Sequence, residues 1–310
     1  MRRGILTLAS LLACAACDGT EDPIAIDEPL VVQQADFKNG ALPFAVLPGA
    51  PAPVPTITSL AAGFGVLRPG TRGAEVSGRA SKEAYSVGVR FKDQGSGYWV
   101  RPVGGEDPLI PNELNWSFAL DAATDIEPGK HDLEVVTFDK DGNAGNKQAL
   151  SLCIASELPD NLNVCDPKVA PPLVIASLSW NADADLDLTV VAPDGTAFGR
   201  SKRSLIRNGV VLARLDNDGV SGCLADGRRR ESFVWNDVAQ VGSWNLFVNL
   251  FDACGKPAVD FVLTTYQRVA NPDGTFALLP LSESTVNGTF TRAQANGGAQ
   301  APLFVSEIKF

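Results

Sequence analysis

The chain has 310 residues, 45% hydrophobic and 20% charged, an ordinary globular composition with room for about two domains. A net charge of −10 excludes the basic footprint that nucleic-acid phosphates require, and it suits solubility and cation binding. A single histidine excludes a histidine relay and a His-rich metal centre.

Met1-Arg2-Arg3 is a short basic start, and Gly4 to Ala13 is apolar and uncharged. That stretch is far shorter than the roughly 20 apolar residues that span a bilayer, so it predicts a secretory signal. It runs into Leu11-Leu12-Ala13-Cys14-Ala15-Ala16-Cys17. Leu11-Leu12-Ala13-Cys14 resembles the bacterial lipobox, in which a small residue precedes the cysteine that receives the lipid. Ala15-Ala16-Cys17 is a second candidate. The resemblance implies an exported lipoprotein with a signal peptide over 1–17. Its lipid anchor is Cys14 or Cys17, and it sits in the cell envelope at the outer membrane. Membrane contact is then through the anchor alone.

Residues 18–55 read as a tether. They include Pro23, Pro43, Pro48 and the run Pro51-Ala52-Pro53-Val54-Pro55, and proline removes ladder donors and extends the chain. Only Leu30-Val31-Val32 and Phe44-Ala45-Val46-Leu47 have strand character in that stretch.

Over 56–154 the signal is β. Tyr85, Val87, Val89 and Phe91 alternate with Ser86, Gly88 and Arg90, the period of a half-buried strand. Leu133 and Val135 alternate with Asp132 and Glu134, and turn signals stand at Gly95-Ser96-Gly97 and Glu127-Pro128-Gly129. Short strands between turns over this length predict a β-sandwich. Val76-Ser77-Gly78-Arg79-Ala80, Trp116-Ser117-Phe118 and Pro128-Gly129-Lys130-His131-Asp132-Leu133-Glu134-Val135 resemble bacterial immunoglobulin-like domains, which implies a scaffold or spacer. Asp139-Lys140-Asp141-Gly142-Asn143 has the opening spacing of an EF-hand loop, but Leu150 stands where its twelfth-position Glu belongs. A hairpin turn is the expectation. His131 is expected as a satisfied strand-end residue, and Tyr98-Trp99 as core rather than as a sugar-stacking platform.

A second linker, 155–172, carries Pro159, Pro167, Pro171 and Pro172. Residues 173–310 are again β. Trp244, Leu246, Val248 and Leu250 share one strand face, Val259, Phe261 and Leu263 form the next inward set, and Asp252 to Pro257 is the hairpin between them. The expected architecture is all-β: two tandem β-sandwich domains behind a signal peptide and Pro-rich tether. Four body cysteines in an exported chain predict two disulfides, and nearest-neighbour pairing gives Cys153–Cys165 and Cys223–Cys254.

The most informative stretch is Trp180-Asn181-Ala182-Asp183-Ala184-Asp185-Leu186-Asp187-Leu188-Thr189-Val190. In a strand Asp185, Asp187 and Thr189 point one way and the leucines the other, with the two carboxylates about 7 Å apart. Asp216-Asn217-Asp218-Gly219 and Glu231 add oxygen ligands from separate segments, a set that suits Ca²⁺. Leu178-Ser179-Trp180, the Asp185–Val190 strand, Pro193-Asp194-Gly195, Leu215 to Gly219, Glu231 and Val241 to Val248 resemble the YfaP-like exported β-sandwich domains. The acidic segments are also similar to those of tellurium-resistance-type domains. The resemblance implies one structural Ca²⁺ on Asp185, Asp187, Asp216, Asp218 and Glu231. Thr189 stands where YfaP-like members often carry histidine, and Arg228-Arg229-Arg230 is an added basic run. The alternative is a polar cluster neutralised by Arg214 or Arg228 to Arg230 with no metal.

No G-x-S-x-G, Walker A or dinucleotide glycine pattern appears. The expected role is a non-catalytic binding, adhesion or scaffold module, with an envelope protein or a glycan as ligand and no nucleic acid. The rival is a glycan-directed envelope hydrolase using Asp187 and Glu231 as its paired carboxylates.

Overall fold

The computed structural model describes residues 28–45, 54–106, 108–224 and 228–310. The signal segment, with Cys14 and Cys17, lies outside the described residues, as do 18–27 and 46–53 of the expected tether.

The described residues form two β-sandwiches in tandem. In the first, β1 (Leu30–Val32), β8 (Glu113–Ala122), β5 (Ala74–Ser81) and β3 (Ile57–Ala62) form a four-stranded sheet in that order. It faces a six-stranded sheet ordered β2 (Asp36–Asn39), β7 (Gly97–Pro102), β6 (Ser86–Phe91), β9 (Gly129–Phe138), β10 (Gln148–Ile154) and β4 (Val66–Leu67). The period of two places Val87, Val89 and Phe91 of β6 in one core with Val76, Phe118 and Leu120 of the opposite sheet.

The first sandwich begins near Glu28, within the stretch that composition assigns to the tether. β1 pairs with β8, and β2 pairs with β7. The Glu28 carboxylate accepts the Ser96 N–H at 2.8 Å, and the Trp99 indole N–H donates to the Leu30 carbonyl at 2.7 Å. Leu42 then crosses the far side of β6 and shares a small cluster with Val136, Phe138 and Ala144. Gly88 is required there, because a Cβ would come within 2.8 Å of the Phe138 ring and 3.2 Å of Leu42. Proline content made this stretch read as linker. The two strands are only three and four residues long, and the prolines fall outside both.

The second sandwich sets a six-stranded sheet, β14 (Ser204–Arg207), β15 (Val210–Leu215), β16 (Arg230–Trp235), β11 (Val174–Trp180), β18 (Ala258–Ala270) and β19 (Phe276–Thr291), on a four-stranded one. The smaller sheet is β13 (Ala197–Phe198), β12 (Asp185–Val191), β17 (Ser243–Asp252) and β20 (Leu303–Lys309). The inward face of β17, Trp244, Leu246, Val248 and Leu250, is fully buried as its alternation predicts. Trp244 meets Trp235 edge-on with ring centroids 5.6 Å apart, the arrangement favoured by the ring quadrupoles.

The linker is docked. The Asp160 carboxylate accepts the N–H groups of Leu162 and Val164, and the Asn163 amide donates to the Val169 carbonyl at 2.8 Å and the Phe276 carbonyl at 3.2 Å. Cys153–Cys165 closes over this stretch, and Cys223–Cys254 forms within the second domain. Cross-linking residues 31 apart in sequence restricts the unfolded chain. A Cys223→Ser, Cys254→Ser double variant is therefore expected to lose about 3–4 kcal/mol in denaturant unfolding. An unchanged midpoint would show that this bond adds nothing to folding.

Candidate functional site

The acidic strand of the sequence is β12, and it carries the candidate site. Leu186, Leu188 and Val190 point into the core, which turns Asp187 and Thr189 to the outer face of the smaller sheet. A register shift between Asp185 and Leu186 breaks the alternation, and Asp185 is fully buried. Asp218 arrives from the loop after β15. A carboxylate oxygen from each of Asp185, Asp187 and Asp218 lies within 4.8 Å of the others.

The charges are poorly compensated. Asp185 Oδ2 accepts the Gly222 N–H at 2.7 Å, but its Oδ1 has no hydrogen-bond partner among the described residues, and neither has Asp218 Oδ1. Glu231, on β16, is 1% exposed, with Oε2 accepting the Leu188 N–H at 2.7 Å. Burial, and then the charge of Asp185, push the Asp187 carboxyl up to about 6. Burial first, and the neighbouring carboxylates as well, also raise Asp185, and raise Glu231 well above the usual carboxylate range.

Of the five acids named from sequence, Asp185, Asp187 and Asp218 are gathered, with Glu231 beneath them. Asp216 stands apart, paired with Arg214, and the Asn217 amide donates to the Arg230 carbonyl at 2.7 Å. The arginine run also turns elsewhere: Arg229 holds Asp183 at 2.8 Å and Arg230 holds Glu157 at 2.6 Å. The cation near the acids is Arg200, with Nε 3.9 Å from Asp218 Oδ2 and the guanidinium 5.5 Å from the Phe251 ring centroid. Asn249 adds a hydrogen bond to Asp187, and its own oxygen accepts from Asn296 at 2.7 Å. Arg200 and Asn249 escape sequence reading because neither belongs to an acidic segment, and the Gly222 N–H escapes it because a backbone donor leaves no mark in the residue type.

A shallow groove on the outer face is lined by Asp187, Thr189, Arg200 and Asn249. Glu231 does not reach it. The arrangement can hold a hard cation on carboxylate oxygens: among the described residues no thiolate or imidazole joins the three acids, and two of their buried oxygens make no hydrogen bond.

The other candidates are structural. His131 is 7% exposed, with Nδ1 2.8 Å from Asp93 and 3.0 Å from the Gln94 amide. Trp99 is core, and Tyr98 stacks on Phe138. Asp139 accepts the N–H groups of Asp141 and Asn143 and closes the hairpin turn itself.

No protein-family model and no curated protein matches the chain. Among solved structures, the C-terminal domain of the AgI/II polypeptide BspA from Streptococcus agalactiae is 9% identical, over 72% of this chain and 93% of that one, with a TM-score of 0.21. The major pilin subunit BcpA of Bacillus cereus is 8% identical, over 78% of this chain and 68% of that one, with a TM-score of 0.18. Superpositions this loose carry no argument. The fold stands on the strand pairing and the two cores described above.

Proposed function

We propose that the chain is an exported, lipid-anchored envelope protein. Its two β-sandwiches form a non-catalytic binding or adhesion module, and one Ca²⁺ braces the second. The reading of export rests on the lipobox-like segment and on the two disulfides, which persist in oxidising compartments. The observation that carries the calcium reading is Asp185 Oδ1, buried beside two further carboxylates and without a hydrogen-bond partner among the described residues. A buried carboxylate costs several kcal/mol unless it is compensated, and a divalent cation supplies that compensation. Asp185, Asp187 and Asp218 are the ligands in this reading. Glu231 lies behind them, and Asp216 drops out of the set.

Calorimetric titration of the metal-free chain with Ca²⁺ tests this. Heat saturating at one ion per chain is expected, and a flat titration would leave a metal-free polar cluster as the correct reading. The hydrolase alternative asks Glu231 to meet a substrate from beneath β12. Burial and its bond to the Leu188 N–H speak against that.

The anchor has its own test. A Cys14→Ser, Cys17→Ser double variant is expected to move from the membrane fraction to the soluble fraction on cell breakage. A double variant that still needs detergent for release contradicts the lipid assignment.

A further inference from the structure

The groove over Asp187 opens the proposed calcium site to solvent on one side. It measures about 480 Å³ and is lined by Asp187 and Thr189 of β12, by Arg200 and Ser201, and by Gln300 and Pro302. On the other side the site is closed, because Asp185 is fully buried and Glu231 is 1% exposed. Of the three gathered acids only Asp187 lines the groove.

Each acid has one oxygen engaged and one to give. Asp185 Oδ2 accepts the Gly222 N–H, Asp187 takes a hydrogen bond from Asn249, and Asp218 Oδ2 lies 3.9 Å from Arg200 Nε. Asp185 Oδ1 and Asp218 Oδ1 are buried and make no hydrogen bond among the described residues. One carboxylate oxygen from each of the three acids is about half of the roughly 6–8 oxygens that Ca²⁺ takes. The groove is the side from which further oxygens can come.

Charge decides what kind of oxygen enters. Three carboxylates outweigh the two charges of the ion, and Arg200 only restores the balance. Asp252 and Glu231 can add nothing but negative charge, and the whole chain stands at −10. No positive charge is left over to draw an anion, so the site favours neutral donors. Two adjacent hydroxyls of a sugar supply two oxygens held together in advance, which lowers the entropy cost of capture. Thr189, Ser201 and Gln300 offer polar groups to the remaining hydroxyls, and the volume lies in the range of about 300–1,000 Å³ typical of small-molecule sites.

We infer that the groove binds a neutral glycan, with two adjacent hydroxyls of one sugar ring completing the coordination of the ion. The inference rests on the calcium reading proposed above and adds the ligand class to it. The ion then braces the second domain and also forms the floor of its binding site.

Calorimetric titration of the full chain tests this, first with Ca²⁺ alone, then with lactose and with mannotriose, each in saturating Ca²⁺ and in chelator. Lactose cleaved with periodate and reduced with borohydride is the probe without adjacent ring hydroxyls, and the peptide Gly-Asp-Gly is the anionic probe. Saturable binding of lactose or mannotriose is expected in Ca²⁺ only, and diol cleavage should weaken lactose, if it binds, at least tenfold. By reciprocity, the bound glycan at ten times its own Kd should tighten Ca²⁺ binding about tenfold. Gln300→Ala should weaken the glycan about threefold or more, the worth of one hydrogen bond. Gln300 is exposed and outside the acidic cluster, so that variant should keep the parent affinity for Ca²⁺. Ca²⁺ heat with no binding of either glycan overturns this inference and leaves the calcium reading standing, whereas absence of Ca²⁺ heat overturns both. Glycan binding that survives the chelator, unchanged glycan affinity in Gln300→Ala, or a peptide that binds more tightly than either glycan overturns recognition of hydroxyls through the ion.

Discussion

Millimolar Ca²⁺ is expected to raise the unfolding midpoint of the second domain by roughly 5–10 °C at pH 7.5 and by much less at pH 5. At a hundredfold excess over Kd, an ion that binds only the folded state adds about 2.7 kcal/mol. Each kcal/mol moves the midpoint of a domain of this size by about 3 °C. The pH dependence follows from Asp187, whose folded pKa of about 6 lies above its ordinary 3.8. A raised carboxyl gives its stabilising contribution in full below the ordinary value and loses it as pH rises through the folded one. Without metal, therefore, stability should fall between about pH 4 and pH 7. Asp187 is partly solvated, which discounts its share to roughly 1–3 kcal/mol.

With metal the slope is offset, because the same deprotonation that costs stability creates the ligand. Scanning calorimetry with chelator and with Ca²⁺ at both pH values measures the two effects. Asp187→Asn should remove most of the calcium increment. Arg200→Gln should enlarge it, since the guanidinium beside Asp218 competes with the ion. A calcium increment equal at both pH values would mean that the ion binds away from Asp187.

A chain that begins at Thr56 is expected to lose the first sandwich, whereas one that begins at Glu28 keeps it. The shorter chain lacks β1 and β2, and with them Leu30, Val32 and Leu42, each 2% exposed. Burying side chains of this kind stabilises by about 1.5–3 kcal/mol apiece. The total therefore approaches the 5–15 kcal/mol that holds a whole domain. The loss also uncovers the ladder edges of β7 and β8 and takes away the acceptor of the Trp99 indole N–H. Proteolysis followed by mass spectrometry separates the outcomes. A fragment from Thr56 onward as resistant as the longer chain would return residues 28–45 to the tether.

That boundary marks where sequence reading stopped. The alternations over 85–91 and 244–250 declared their strands because one face is apolar over several residues. Tyr85 nevertheless falls outside β6 and is 61% exposed. Leu30–Val32 is too short to show a period, and its pairing with β8 depends on a strand some ninety residues away. The acidic site divides in the same manner. Asp185 and Asp187 share a strand, so their spacing shows in the sequence, and Glu231 follows from pairing of β16 with β11. Whether Asp216 or Asp218 turns inward is set by the path of a loop, and Arg214, two residues earlier, had already claimed Asp216. Arg200 enters through the turn after β13, a tertiary placement that no local pattern announces.

The bond between Cys223 and Cys254 also bears on the acidic site. Gly222, whose N–H holds Asp185, is the neighbour of Cys223, in a turn of left-handed residues that includes Val220 and Gly222. Cys254 sits in the connection that leaves β17, the strand that supplies Asn249. While the thiols are reduced, nothing covalent pins that turn to β17, and Asp185 loses the rigid donor that aims it. If the acidic site takes up calcium as proposed, a chain whose Cys223 and Cys254 are reduced should bind it more weakly than the oxidised chain, a difference that titration with and without reductant would measure. The arrangement of the three acids would then be completed only in a compartment where thiols are oxidised.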